Sequence, residues 1–210
     1  MRTEDYTSEN ICQCMGLAGF AVDESFVNGD AVRLLLTPSF HPEVCITLVR
    51  SQANAKLSVV AAREMVWHQF EPAPMLSDRD DAVVPVELFS DIASAFQEIG
   101  KKSIGSGIAI DGMPIEVVVI RNGVPELRLA HNVGRQSEMQ GIVAQVISVA
   151  WHGVQNAWCK IALANAARYA GLELPFTPEP ERKPVIETLV LGAENDRLDI
   201  LEALKKHHER

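Results

Sequence analysis

The dipeptide Asn122-Gly123 lies between two apolar runs, residues 114–121 and 124–131. No other feature constrains the fold as tightly. A two-residue type I′ turn needs positive φ at both central positions, which Asn and Gly tolerate, so the segment predicts a β-hairpin. With a two-residue loop, Arg121 faces Val124, Ile120 faces Pro125 and Glu116 faces Leu129. One face then carries Val118, Ile120, Leu127 and Leu129 and reads as the core side. The other carries Val117 and Val119 beside Glu126 and Arg128. Pro125 has no N–H to give to a further strand, which predicts a sheet edge there. An open edge can accept an extended chain, so Pro125, Glu126 and Leu127 are the expected partner-binding residues.

The same register puts Glu116 on the apolar face with His131 diagonal to it, and brings Asp111 to the same end of the hairpin. A carboxylate beside an imidazole can act as a general base, so Asp111, Glu116 and His131 are the candidate catalytic residues. The plainer reading of the same three is a strand-end salt bridge and a turn-forming aspartate.

Upstream, residues 31–37, 43–50 and 56–61 read as three strands, with alternation at Val44, Ile46 and Leu48. Their connectors are too short for a parallel crossover, so the neighbours are antiparallel. Residues 8–20 read as a helix with Ser8 as its cap. Residues 71–84, with Pro72, Pro74 and the charged run Asp78-Arg79-Asp80-Asp81, read as a loop. A helix follows from Pro85, with Leu88, Phe89, Ile92, Phe96 and Ile99 at helical spacing and Gly100 at its end. Residues 136–170 read as a long helix that Gly153 can bend or divide, with Gly171 as C-cap. The expected fold class is therefore α+β: a three-stranded antiparallel meander plus a hairpin, packed against two or three helices. This main domain spans residues 1–174. Residues 175–184 hold four prolines and read as an extended linker, and residues 185–210 as a strand–helix appendage.

The chain carries 28 acidic against 19 basic residues, a net charge of −9. Phosphate backbones need a basic face, so nucleic acid is not an expected partner, whereas a basic protein is. The first five residues are polar and acidic with no apolar stretch after them, and no run is apolar enough to span a bilayer. A cytoplasmic location follows, and with it four reduced cysteines, Cys12, Cys14, Cys45 and Cys159. No Cys-x-x-Cys pair is present, and Asp78, Asp80 and Asp81 lack the glycine and distal glutamate of a calcium loop, so neither metal nor cofactor is expected. His152 and Cys159 share a helical face about 10 Å apart, too far for a direct thiol–imidazole couple.

Two resemblances bear on function. The run Arg33-Leu34-Leu35-Leu36-Thr37-Pro38-Ser39-Phe40-His41-Pro42, followed by Ile110-Asp111-Gly112 and Glu116, resembles a pattern in small uncharacterised bacterial α+β proteins, and implies no activity. The order helix, three strands, helix, strands, helix is similar to that of type III secretion chaperones. That likeness implies an acidic cytoplasmic homodimer that binds an extended effector chain. The expected function is a non-catalytic protein-binding module, chaperone-type or immunity-type, with a basic partner. The alternative is a small cytoplasmic hydrolase using the Glu116–His131 pair.

Overall fold

Strand β1 (Ala31–Leu36) is buried at all six positions. A strand is buried on both faces only inside a sheet that is covered on both sides. The computed structural model, which describes residues 7–66, 73–102, 112–133 and 138–175, has that arrangement. β1 pairs with β2 (Val44–Arg50) on one side and with β5 (Met113–Arg121) on the other. β3 (Asn54–Ala62) and β4 (Ser77–Pro85) extend the sheet beyond β2, and β6 (Val124–Val133) closes it beyond β5. The result is one six-stranded antiparallel sheet of order β4-β3-β2-β1-β5-β6. The α+β class and the antiparallel neighbours stand. The meander and the hairpin are not separate pieces, because β1 joins them.

β4 is a strand where a loop is expected from the sequence. Its charges hide the pattern, and each of its three aspartates acquires a partner from elsewhere in the fold. Asp78 is paired with Arg63, Asp81 with Lys56 and Arg79. Asp80 accepts the backbone N–H groups of Gln155 and Asn156 at 2.5 and 2.7 Å, and these bonds hold its carboxyl below the usual range. Those amides lie in the break between α3 (Glu138–Gly153) and α4 (Ala157–Tyr169). Replacing Asp80 with alanine strands both donors, and we expect it to cost about 1–2 kcal/mol in a urea denaturation series. A loss under about 0.5 kcal/mol would show that water substitutes for the carboxylate.

The predicted long helix is two helices. Gly153 lies so close to β3 and β4 that a Cβ there would meet Ala82 Cβ at 3.1 Å and Leu57 Cδ2 at 3.3 Å. Asn156 then restarts the helix by accepting the Cys159 N–H at 3.0 Å. α4 ends as the sequence predicts. Gly171 has φ +72°, its N–H reaches the Arg168 carbonyl, and Leu172 N–H reaches that of Ala167, a Schellman motif.

Helix α2 (Val86–Lys101) carries the chain from β4, at one edge, back to β5 beside β1, and it touches all six strands. Its buried residues Phe89, Ile92, Ala93, Phe96 and Ile99 lie on one side, as the 3.6-residue period requires. With α3 and α4 it covers the first face of the sheet, packing on Leu34, Ile46, Leu57 and Val117 among others. The second face carries a smaller core. Helix α1 (Ser8–Cys14) and the 3₁₀ turn Glu24–Phe26 cover Leu35, Cys45, Val60, Val118 and Ile120 there. α1 is shorter than predicted, and Thr7, not Ser8, caps it by accepting the Asn10 N–H.

The Asn122-Gly123 turn forms with φ of +49° and +78°, and Arg121 faces Val124. The register then departs from the two-residue-loop expectation. A β-bulge between Val119 and Ile120 makes Glu126 the extra residue, so Glu116 faces Ala130 instead of Leu129. One residue of slip exchanges faces. Leu127 and Leu129 join Val117 and Val119 on the first core, while Arg128 lies with Glu116, Val118 and Ile120 on the second. No face of β5 is a solvent face.

None of the described helices is long and apolar enough to cross a membrane. The linker 175–184 lies outside the described residues except for Pro175. The appendage 185–210, residues 103–111, Trp67, His207 and His208 lie wholly outside them.

Candidate functional site

Glu116 is held on the second face by the pairing of β5 with β1, opposite Leu35. Because Thr7 takes over the capping of α1, the Ser8 hydroxyl is free to donate to Glu116 Oε2, at 2.9 Å. Arg128 comes from the neighbouring strand. Its Nη2 donates to Glu116 Oε2 at 3.1 Å and to Ser8 Oγ at 2.6 Å, and its Nε reaches the same carboxylate at 3.3 Å. Glu9 stands 3.9 Å from Arg128 and accepts the Phe20 N–H at 2.6 Å. The Phe20 ring lies under the guanidinium, 5.3 Å away. Glu9, Glu116 and Arg128 thus form one network between α1 and the outer strand of the sheet.

This network borders a cavity of about 320 Å³ lined by Ser8, Ile11, Thr37, Ser39, Glu43 and Glu116, with further apolar wall from β1 and β5. Glu43 is fully buried, and its carboxylate accepts the Val66 N–H at 2.8 Å. Ser39 ties the mouth together. Its N–H and hydroxyl both donate to the Gly112 carbonyl, at 3.0 and 2.7 Å, and the hydroxyl accepts the Gly112 N–H at 3.1 Å. The Pro38-Ser39 and Gly112 parts of the sequence pattern therefore meet. His41, from the same run, makes a 3.1 Å contact with the Tyr169 hydroxyl, and burial lowers its pKa. Two carboxylates and three hydroxyls over apolar walls suit a cationic side chain with an aliphatic stem.

Of the three candidate catalytic residues, Glu116 and His131 are not brought together. Asp111 lies outside the described residues. His131 is directly opposite Ile115, so it projects from the first face, whereas Glu116 projects from the second. The bulge at Glu126 separates them, and the expected Glu116–His131 pair is replaced by Glu116–Arg128. His152 and Cys159 also stay apart. The His152 ring contacts the Ser148 carbonyl, and Cys159 is buried against Val59 and Asp78, its thiol pushed up to about 12 by burial and by the Asp78 charge. Among the described residues no cluster of three metal-ligating side chains exists.

The expected binding residues sit at the start of β6. Pro125 and Glu126 are exposed, and Glu126 accepts from Gln97 at 3.2 Å. Leu127 is half-buried and packs against Gly100 of α2, where a Cβ would meet it at 2.6 Å. Ser8, Glu9, Glu43 and Arg128 were not legible as site residues. Their only sequence signal is a charged or polar residue on an amphipathic element, which a solvated surface also produces. No protein-family model matches this chain, and searches of curated proteins and of solved structures return no match.

Proposed function

We propose that this chain is a non-catalytic protein-binding module, of chaperone or immunity type, that takes an extended basic segment of a partner along β6. The observation that carries this reading is the edge itself. Among the described residues the ten-residue strand β6 pairs only with β5, which leaves one row of its backbone groups for another chain. The charge of the partner follows from the net charge of −9 and from Glu9, Glu116 and Glu126 beside the strand. A lysine or arginine of the incoming segment takes the place of Arg128 against Glu9 and Glu116, at the mouth of the 320 Å³ cavity.

A photo-crosslinker at Ala130, which is exposed on β6, tests this in the native cell. We expect one stoichiometric basic protein to be cross-linked, with the purified complex weakening steeply as salt rises. Reversing Glu9 and Glu126 to lysine should cut affinity at least tenfold, about 1.4 kcal/mol. A partner whose affinity ignores both salt and the charge reversals, or no stoichiometric partner, would overturn the reading.

A further inference from the structure

The second face of the sheet is only partly covered. Toward β4 the small core gives way to a row of polar residues, Arg33, Thr47, Ser58 and Asp81, each directly opposite the next across β1, β2, β3 and β4. Arg33, Thr47 and Ser58 line a cavity of about 140 Å³, and Arg50, Lys56 and Arg79 complete its cationic wall. In a chain of net charge −9, four cations line this one pocket against a single carboxylate, Asp23.

The carboxylates nearby do not neutralise it. Asp81 is shared by Lys56 at 2.7 Å and Arg79 at 3.3 Å. Asp30 is held by Arg121 at 3.0 Å and the Asn122 N–H at 3.1 Å, and Arg50 approaches it only to 3.4 Å. Asp23 is committed to Arg33. Arg50, Lys56 and Arg79 are about half exposed, so their present ion pairs are weak and exchange readily for an anionic ligand. Arg33 is different. Its bonds to Thr47, Gly19, Phe20 and Asp23 fix it beneath the pocket, with its charge paired to Asp23.

We infer that this pocket binds a phosphate group, free or carried by a small ester, between Arg50, Lys56 and Arg79, above the buried Arg33–Asp23 pair. Guanidinium forks match phosphate oxygens two at a time, and the ammonium of Lys56 adds a point charge. The space admits one such group and a short stem. It lies on β2, β3 and β4, away from β6, and does not depend on the protein-binding reading.

Amide NMR of the full chain, titrated at constant ionic strength with inorganic phosphate and separately with glycerol 3-phosphate, tests it. We expect saturable shifts confined to residues 17–33, 47–58 and 79–81. The Arg50→Ser/Arg79→Ser double variant should weaken binding at least tenfold without moving the thermal midpoint. Lys56→Gln, a single change, should weaken it severalfold and serves if the double variant is unstable. Tighter binding of the ester identifies a small phosphate ester as the ligand type, and equal binding identifies free phosphate. Shifts that chloride reproduces, that never saturate, or that the variants leave unchanged would overturn the assignment.

Discussion

Replacing Arg33 with methionine is expected to destabilise the fold by about 3 kcal/mol or more at neutral pH, because it breaks a buried charge pair and leaves its partners in place. Arg33 is 1% exposed at the centre of the sheet. Its guanidinium donates to Thr47 at 2.9 Å, to the Gly19 carbonyl at 2.6 Å and to Asp23 at 2.6 Å, and it stacks 4.5 Å from the Phe26 ring. These bonds fasten the segment between α1 and the 3₁₀ turn onto β1. Methionine fills the volume but leaves two carbonyls, a hydroxyl and a carboxylate without their donor. Asp23 gives the variant a pH signature. Burial alone would raise its carboxyl, but hydrogen bonds from Arg33 and Ser25 outweigh burial and hold it below the usual range. A carboxyl depressed on folding stabilises above its unfolded value, about 3.9, and that contribution is lost as pH falls through the lower folded value. Arg33→Met removes its share of the depression and leaves only that of Ser25. Urea denaturation at pH 7 and pH 3 should therefore show a gap between the two proteins that narrows in acid. A gap that stays constant, or a loss below about 1 kcal/mol at pH 7, would mean that Arg33 is not the fastening described.

Phe96→Ala is expected to cost about 3–5 kcal/mol, through a different mechanism. Phe96 is fully buried on the face of α2 that crosses every strand. The lost ring leaves a cavity that neither the sheet nor the amphipathic helix can collapse into without moving the other. No titrating group is involved, so the loss should be equal at pH 7 and pH 3. Leu88→Ala, on the same helix but half-buried, should cost clearly less. A denaturant midpoint that falls with an unchanged slope would locate the loss in packing, whereas equal effects at Phe96 and Leu88 would contradict the burial pattern.

The legible parts of the fold are those whose local chemistry admits one solution. The Asn122-Gly123 turn, the spacing from Phe89 to Ile99 and the Gly171 cap belong to that class. The apolar run Leu34-Leu35-Leu36 marks a strand, and its pairing on both sides emerges only when β5 arrives. β4 was hidden because Asp78, Asp80 and Asp81 read as a solvated loop until Arg63, the amides of Gln155 and Asn156, and Lys56 are brought to them. The bulge had no signal. Glu126 fits the alternation equally well as an extra residue, yet its insertion moves Glu116 and His131 to opposite faces and removes the expected pair. Arg128 likewise looked like an ordinary outward charge. The polar row from Arg33 to Asp81 needs four strands in register before it exists, which no single segment encodes.

The pairing of Ala31–Leu36 with Ile115–Ile120 joins segments that a ribosome makes far apart in time. At about 5–20 residues per second, β1 emerges on the order of 4–16 s before the strand that completes it. Through that interval β1 to β4 can form a meander, but the outer edge of β1, with Leu34, Leu35 and Leu36, has no neighbour. Closing so long a loop is a slow, non-local step. Synthesis therefore exposes an apolar strand edge in every nascent chain, and mutations that slow docking of β5 should reduce the yield of soluble protein more than they reduce the stability of the molecules that do fold.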